Sequence, residues 1–184
     1  MRALLTPPNL LTLARMALTP LIARSILARD CPRALLLLAL AAATDAIDGF
    51  LARRYNWSTR VGSYLDPIAD KLLLTSAYVC LGFAGLAPAW LVWLIAGRDL
   101  AILSMAVIAV LVTSYRDFPP TRLGKLSTVV QVFSGTAILM QCAFPGLPPM
   151  TTPLVWITAA ITAVSGVHYV ILALHRFLHR PRIN

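Results

Sequence analysis

The sequence has no glutamate and few charged residues of any kind. Charged residues make up 12% of the 184 positions, hydrophobic residues make up 59%, and the mean hydropathy is +0.77. In an ordinary soluble domain about a quarter of the residues are charged, because charge covers the surface that faces water. The composition therefore excludes an ordinary soluble domain and predicts an integral membrane protein in a lipid bilayer.

Cysteine and acidic residues are both scarce. Sixteen Lys and Arg face only seven Asp, which gives a net charge of +9 and suits anionic lipid headgroups. We expect no nucleic-acid partner, because the basic residues lie beside apolar segments rather than on a soluble surface. The cysteines are odd in number and widely spaced, so we expect neither a disulfide framework nor a metal site from them. They are Cys31, Cys80 and Cys142.

Long apolar segments fill most of the chain, separated by Pro and Gly. Each is about twenty residues long, which is enough to cross the hydrocarbon core as a helix. The first is interrupted by Arg15 and Arg24 and is followed by no small-residue cleavage site, so we expect it to be a retained span. Lipid offers the backbone no hydrogen-bond partner, so the predicted fold is all-α, a single domain over residues 1–184 that forms a six-transmembrane-helix bundle. The predicted spans cover about residues 9–28, 33–54, 62–86, 88–115, 122–144 and 151–177.

The distribution of Lys and Arg predicts the orientation. Basic residues collect after the second and fourth spans and at the C-terminus, whereas the third-to-fourth and fifth-to-sixth connections carry no charge. The positive-inside tendency then places both termini in the cytoplasm, and we expect a multi-pass protein of a bacterial inner membrane. Arg29 and Arg33 in the first connection disagree with this pattern, and we expect them to reach the outer headgroups.

Four of the seven aspartates lie within residues 44–71. An Asp at the centre of a spanning helix costs roughly 2.5 to 3.5 kcal/mol, so four such residues need compensation. Their spacing places them on one stripe of each of two helices, which a short basic loop joins. Two antiparallel helices can turn these stripes toward each other, which would bring four carboxylates together near the cytoplasmic boundary. One stripe holds Asp45, Asp48, Gly49, Ala52 and Arg53, and the other holds Gly62, Asp66 and Asp70.

Carboxylates packed this closely repel one another unless a cation lies between them. Hard oxygen ligands, with no His or Cys among them, favour Mg²⁺ or Mn²⁺ over Zn²⁺. Such ions stabilise a displaced phosphoryl oxygen, and Arg53 offers a fork for phosphate oxygens. The small residues on the same stripes, Gly49, Ala52 and Gly62, leave room for a bulky ligand. The pattern therefore predicts metal-assisted phosphoryl transfer at the cytoplasmic side of the membrane.

Three other interpretations fit part of this pattern. The Asp and Arg residues could pair as buried ion pairs between closely packed helices. A cation or proton carrier also uses intramembrane carboxylates, but it leaves the Gly, Ala and Arg positions unexplained. A non-catalytic membrane scaffold is the third interpretation.

The motif as a whole resembles that of a known family. It reads D-x-x-D-G-x-x-A-R, then eight residues, then G-x-x-x-D-x-x-x-D. This resembles the signature of the CDP-alcohol phosphotransferases, membrane enzymes that transfer a phosphatidyl or related group from a CDP-linked donor to an alcohol. The resemblance extends to residues 8–12, to Arg15 and to the six-helix layout. It implies the substrate CDP-diacylglycerol, release of CMP, a need for Mg²⁺ or Mn²⁺, and a homodimer.

The resemblance also implies a role for each matching residue. The metal ligands would be Asp45, Asp48, Asp66 and Asp70. Asp70 would also act as the catalytic general base on the acceptor hydroxyl. The CDP part of the donor would be held by Asn9, Gly49, Ala52, Arg53 and Gly62.

Arg98 and Lys125 are the candidates for binding the acceptor. They could form an anion pocket next to the metals, although Arg98 could equally form an ion pair with Asp99. The segments around them resemble the glycerol-type branch, which makes phosphatidylglycerol phosphate from glycerol 3-phosphate or cardiolipin from phosphatidylglycerol. Phosphatidylglycerol phosphate synthases of the family have G-K-x-K-T, whereas this chain has G-K-L-S-T at 124–128 and lacks the second lysine. A phosphate monoester needs more positive charge than a diester, so the pattern favours cardiolipin synthesis, with inositol phosphate or serine as alternative acceptors.

Overall fold

The computed structural model of the chain describes residues 7–55, 62–112, 121–148 and 150–178, with side chains over 12–47, 69–105, 121–148 and 150–172. These ranges contain six helices and no strand, so the prediction of an all-α fold with six helices is confirmed. The largest difference from the predicted limits that the described residues show is at the end of the third helix, which stops at Phe83 rather than at 86. The helices are α1 (Pro7–Leu27), α2 (Cys31–Tyr55), α3 (Gly62–Phe83), α4 (Ala89–Val112), α5 (Arg122–Ala143) and α6 (Thr151–Leu178).

Large apolar side chains lie exposed on the helices. A soluble monomer rarely leaves extensive apolar surface uncovered, so these positions fit contact with lipid. Within the described residues, the segments Arg122–Ala143 and Thr151–Leu172 are long and apolar enough to cross a membrane. The count of six spans stays a prediction. The exposed side chains include Leu36 on α2, Leu72 on α3, Leu100 on α4, Phe133 on α5 and Ile171 on α6.

The helices form two compact units. The first contains α1, α2, α3 and the C-terminal part of α5, and the second contains α4, the N-terminal part of α5 and α6. In the first unit α1 packs against both α2 and α3. Buried apolar residues such as Ile22, Ile26 and Leu81 fill its core. Because α1 contacts both helices that carry the aspartates, a side chain on α1 can reach both of them.

The connection between α1 and α2 closes one end of the first unit. Arg29 has a left-handed φ of 55°, and its Nε and Nη2 donate hydrogen bonds to the Ala84 carbonyl at 2.9 and 2.5 Å. Ala84 follows the last residue of α3, where carbonyls lack a helical partner and a positive charge is favoured. Arg29 thus bonds to the backbone of the first unit, and its expected position at the outer headgroups stays a prediction. Asp30 caps the start of α2 by accepting the Arg33 N–H at 3.3 Å.

A disulfide lies at the same end of the first unit. Cys31, the first residue of α2, is bonded to Cys142 near the end of α5, with their Cα atoms 5.9 Å apart. The expectation that the cysteines form no disulfide is wrong. The two cysteines are 111 residues apart in the sequence, and nothing in their local surroundings indicates the pairing. Cys80 is a free, buried cysteine.

Polar side chains join α5 to α6 in the second unit. Gln131 on α5 donates from Nε2 to Ser127 Oγ at 3.3 Å and to Thr162 Oγ1 on α6 at 3.2 Å. All three side chains are buried. Such hydrogen bonds hold helices together where lipid offers no competing partner.

Candidate active site

Two of the motif aspartates meet at one arginine of α1. Arg15 Nη2 lies 2.5 Å from Asp45 Oδ1 on α2, and Arg15 Nη1 donates a hydrogen bond to Asp70 Oδ1 on α3. We call these three residues the Arg15 cluster. The structure thus brings together carboxylates from the two helices that carry the motif.

Burial in the Arg15 cluster is uneven. The Arg15 side chain is 2% exposed, whereas the side chains of Asp45 and Asp70 are 55% and 54% exposed. The guanidinium therefore lies inside the helix packing while the carboxylates face outward. A ligand can approach the carboxylates from the open side without displacing the core of the unit.

The position of α1 explains how a charge comes to lie there. A guanidinium enclosed among helices is stable only when carboxylates neutralise it, because an unpaired buried charge is very costly. Arg15 is one helical turn after the buried Thr12, on the side of α1 that packs against its neighbours. The two carboxylates at this point offset the charge of the guanidinium, and the guanidinium lessens the repulsion between them.

The sequence contained a signal for this pairing that the motif does not include. Arg15 interrupts an apolar span, and a charge inside a membrane span almost always has a partner. The motif spacing identified the aspartates, but the partner lies on a different helix. Only the packing of α1 against α2 and α3 shows that Arg15 is the partner of the motif aspartates.

The remaining motif residues are placed on helices, but their side chains lie outside the described ones. They occupy α2 and the first turns of α3, while the predicted donor-binding asparagine occupies the first turn of α1. Their side-chain contacts stay predictions, and so does the expectation that Asp48 and Asp66 turn toward the same site. These residues are Asn9, Asp48, Gly49, Ala52, Arg53, Gly62 and Asp66.

The described part of the site fits a divalent cation. Asp45 and Asp70 supply hard oxygen donors, and a positively charged group already lies against both of them. Among the described side chains, no group of three or more His, Cys, Asp or Glu residues forms a complete metal site. Asp45 and Asp70 are donors of the type that Mg²⁺ and Mn²⁺ prefer, and their role as metal ligands stays a prediction.

The predicted acceptor residue Arg98 is buried in a separate polar cluster within the second unit. Its Nη1 donates to Asp99 Oδ1 at 2.8 Å, and its Nη2 donates to Ser165 Oγ on α6 at 2.9 Å. The guanidinium also lies over the ring of Tyr169, 5.7 Å from its centroid. We call these four residues the Arg98 cluster. The ion pair with Asp99, which the sequence left open, is present.

Lys125 lies exposed in the first turn of α5. Tyr169 connects this turn to the Arg98 cluster, because its hydroxyl accepts the Thr121 N–H at 3.1 Å just before α5 begins. Gly124 faces the same hydroxyl, which is 2.7 Å from the position that a Cβ would occupy. The two predicted acceptor residues therefore belong to elements that one tyrosine holds together. Sequence reasoning identified neither Tyr169 nor Ser165, since a lone Tyr or Ser on an apolar helix gives no distinctive signal.

Comparison with known proteins settles the family. The model of the CDP-alcohol phosphatidyltransferase family matches residues 5–165. The chain belongs to the CDP-alcohol phosphatidyltransferase family. The match includes α1 to α5 and thus both helices that carry the Arg15 cluster aspartates.

The names of relatives within this family describe two different reactions. The cardiolipin synthase (CMP-forming) of Rattus norvegicus is 34% identical over 89% of this chain and 61% of its own length. The CDP-diacylglycerol–glycerol-3-phosphate 3-phosphatidyltransferase of Bacillus subtilis is 34% identical over 88% of this chain and 92% of its own length. A probable phosphatidylglycerophosphate synthase of Mycobacterium tuberculosis is also 34% identical, over 90% of this chain and 80% of its own.

These relatives all belong to the glycerol-type branch, as predicted. The chain spans about three fifths of the length of the rat cardiolipin synthase. Because the identities are equal, overall similarity does not separate the two reactions. The choice of acceptor has to be argued from individual residues.

Proposed function

We propose that the chain is a metal-dependent membrane enzyme that transfers the phosphatidyl group of CDP-diacylglycerol to a glycerol-type alcohol and releases CMP. The observation that supports this most is the meeting of Asp45 and Asp70 at Arg15. It joins the two halves of the family motif at one point. Membership of the CDP-alcohol phosphatidyltransferase family supports the same reaction class.

In this proposal four aspartates hold Mg²⁺ or Mn²⁺. When bound, the ions supply positive charge that stabilises the oxygen of the departing CMP. Asp70 accepts the proton of the acceptor hydroxyl, and its half-exposed side chain is accessible to a substrate. The hydroxyl oxygen then forms a bond to the phosphorus that carries the diacylglycerol, while the bond from that phosphorus to CMP breaks. The proposed metal ligands are Asp45, Asp48, Asp66 and Asp70.

The donor is held by residues of α1, α2 and the start of α3. Arg53 has the fork geometry that binds phosphate oxygens, and glycine or alanine at the neighbouring positions leaves space for the nucleotide. These roles follow from the family motif. The residues are Asn9, Gly49, Ala52, Arg53 and Gly62.

For the acceptor we propose phosphatidylglycerol, with cardiolipin as the product. Asp99 already neutralises Arg98, so the pair adds little net positive charge for an incoming anion. Lys125 contributes one exposed cation. One charge suits the single negative charge of a phosphodiester better than the dianion of glycerol 3-phosphate. The second candidate acceptor is glycerol 3-phosphate, which the equally similar relative from Bacillus subtilis favours.

We further propose six membrane spans, with both termini and the aspartates on the cytoplasmic side of a bacterial inner membrane. The charge distribution supports this orientation. The disulfide supports it independently, because it lies at the start of α2, remote from the loop between α2 and α3. Disulfides persist in oxidising compartments such as the periplasm. The family resemblance supports a homodimer.

A CMP-release assay in detergent tests the proposed function. CDP-diacylglycerol is offered with phosphatidylglycerol, glycerol 3-phosphate, serine or inositol phosphate in parallel, each with Mg²⁺ or Mn²⁺. We expect CMP release with phosphatidylglycerol to be the fastest. Faster release with glycerol 3-phosphate would replace the proposed acceptor. No release with any acceptor, together with cation transport in sealed vesicles, would favour the carrier interpretation.

A further inference from the structure

The Arg15 cluster contains its own cation. The guanidinium forms an ion pair with one oxygen each of Asp45 and Asp70, and it is almost completely enclosed. It therefore cannot leave the site by moving into water without opening the packing of α1. The positive charge is part of the helix packing itself.

This internal charge performs a task that a divalent cation would otherwise perform. Two carboxylates from different helices repel each other, and a cation between them removes the repulsion. Arg15 does so through a charge-assisted hydrogen bond to Asp70 on α3 and an ion pair with Asp45 on α2. The aspartate helices are thus held to α1 before any metal binds.

The same charge also opposes a divalent cation that binds to the outward face of the carboxylates. Asp45 and Asp70 are about half exposed on that face, so an ion reaches them while Arg15 stays in place beneath. If such an ion bound about 6 Å from the guanidinium, the repulsion between a single and a double positive charge, screened by water, would lower the binding constant about tenfold. An ion held in this way binds less tightly and exchanges more readily.

We propose that Arg15 is a built-in counter-ion that assembles the carboxylates without metal and lowers their affinity for the divalent cation. The proposal rests on the proposed function, because it concerns the same metal site. Arg15 is a positioning residue: it acts on the aspartates and contacts neither the substrate nor the metal. Removing Arg15 would change the affinity for metal in opposite directions, depending on whether the arginine only supports the helices or also acts as a counter-ion. Loss of a support weakens metal binding, whereas loss of a competing charge strengthens it.

Mn²⁺ binding to the purified protein, in detergent and without lipid substrate, tests the direction of this change. Free Mn²⁺ is measured by electron paramagnetic resonance for the wild type, Arg15→Gln, Arg15→Lys and the control Arg24→Gln. Arg24 is an exposed arginine in the last turn of the same helix, so the control removes the same charge from α1 at a remote position. We expect Arg15→Gln to bind Mn²⁺ about tenfold more tightly than the wild type. Arg24→Gln should bind as the wild type does.

Thermal unfolding provides a second readout that does not require a fully stable variant. With EDTA, Arg15→Gln should unfold at a lower temperature than the wild type. Addition of Mn²⁺ should then raise the unfolding temperature of Arg15→Gln by more than it raises that of the wild type. Arg15→Lys keeps the charge but has one ammonium in place of a planar fork, so it should lose stability in EDTA while its Mn²⁺ affinity stays within about threefold of the wild type.

The outcomes separate this inference from the proposed function. Equal or weaker Mn²⁺ binding by Arg15→Gln, with a wild type that binds Mn²⁺, overturns the counter-ion inference alone. If Arg15→Gln does not fold, a loss of Mn²⁺ affinity greater than tenfold in Arg15→Lys overturns the counter-ion inference instead. Absence of Mn²⁺ binding in the wild type and in all variants overturns the metal-dependent function as well.

Discussion

Arg15 and Arg98 are the two buried arginines in the described part of the chain, and each is paired with aspartate. Their partners differ in exposure. Asp45 and Asp70 are about half exposed, whereas the side chain of Asp99 is only 9% exposed. The Arg15 cluster therefore presents carboxylates to an incoming ligand, while the carboxylate of the Arg98 cluster is enclosed.

At the scale of single residues, loss of the Asp45 carboxylate should nearly abolish activity. Asp45→Asn removes a metal-binding oxygen and half of the neutralisation of Arg15, so CMP release should fall by at least about a hundredfold. Asp30→Asn is the matched control, since Asp30 caps the N-terminal end of the same helix, about four turns before Asp45. A CMP-release assay on both purified variants checks this. Equal losses in the two variants would show that the effect is structural.

The second prediction concerns Arg98. Arg98→Lys keeps a charge beside Asp99 but loses the planar contact with Tyr169 and the bond to Ser165. Because Tyr169 also holds the start of α5, next to Lys125, we expect the KM for the acceptor to rise about tenfold while the KM for CDP-diacylglycerol is unchanged. Ser165→Ala, which removes a single hydrogen bond, should have a smaller effect. A change in the KM for the donor alone would contradict the role in acceptor binding.

Residue spacing predicted which aspartates belong to the site but not which partner they have. Asp45 and Asp70 lie on stripes that helical periodicity reveals. Arg15 and Asp70 are 55 residues apart, and their contact depends on how α1 packs between α2 and α3. Local pattern carries no information on that packing. The same limit applies to Arg29, whose hydrogen-bond acceptor at Ala84 is also 55 residues away.

At the scale of the helix, boundaries were predictable because they are set locally. Proline and glycine mark the connections, and the apolar length of a span is read directly from the sequence. Helix packing depends instead on small residues whose neighbours are remote. Gly124 in α5 shows this, since the hydroxyl of Tyr169 occupies the space where a Cβ would lie.

Gly124→Ala tests this packing. The added methyl group meets the Tyr169 hydroxyl, which should displace the ring from Arg98 and lower the free energy of unfolding by about 1 to 3 kcal/mol. Gly97→Ala in α4 is the matched control, because outside its own turn of helix nothing lies within 4 Å of its Cβ position. The control should be neutral or slightly stabilising, since Ala favours helix more than Gly. Thermal unfolding in detergent measures both, and a stable Gly124→Ala protein would contradict the packing.

At the scale of the whole molecule, the first unit has different features at its two ends. One end carries the Cys31–Cys142 disulfide and the contact of Arg29 with Ala84. The carboxylates of Asp45 and Asp70 lie farther along the helices. In the proposed topology the covalent link faces the oxidising side and the reactive groups face the cytoplasm.

Removing the disulfide tests this arrangement. Cys142→Ser frees α5 from α2, and we expect the free energy of unfolding to fall by about 2 to 4 kcal/mol. Cys80→Ala is the control, because Cys80 is a free, buried cysteine within α3 and Ala adds no polar atom there. Thermal unfolding measures the loss, and thiol alkylation with and without reductant counts the bonded cysteines. A wild type in which all three cysteines react without reductant would show that the bond does not form in the cell.

The dependence of CMP release on divalent cation tests the central claim most directly. CDP-diacylglycerol and phosphatidylglycerol are given to the wild type and to Asp70→Asn, in Mg²⁺, in Mn²⁺ and in EDTA, after circular dichroism has shown that both proteins are folded. We predict CMP release by the wild type in Mg²⁺ or Mn²⁺, none in EDTA, and none by folded Asp70→Asn under any condition. Release by Asp70→Asn at the wild-type rate, or release that continues undiminished in EDTA, would contradict a carboxylate-bound cation as the catalytic centre.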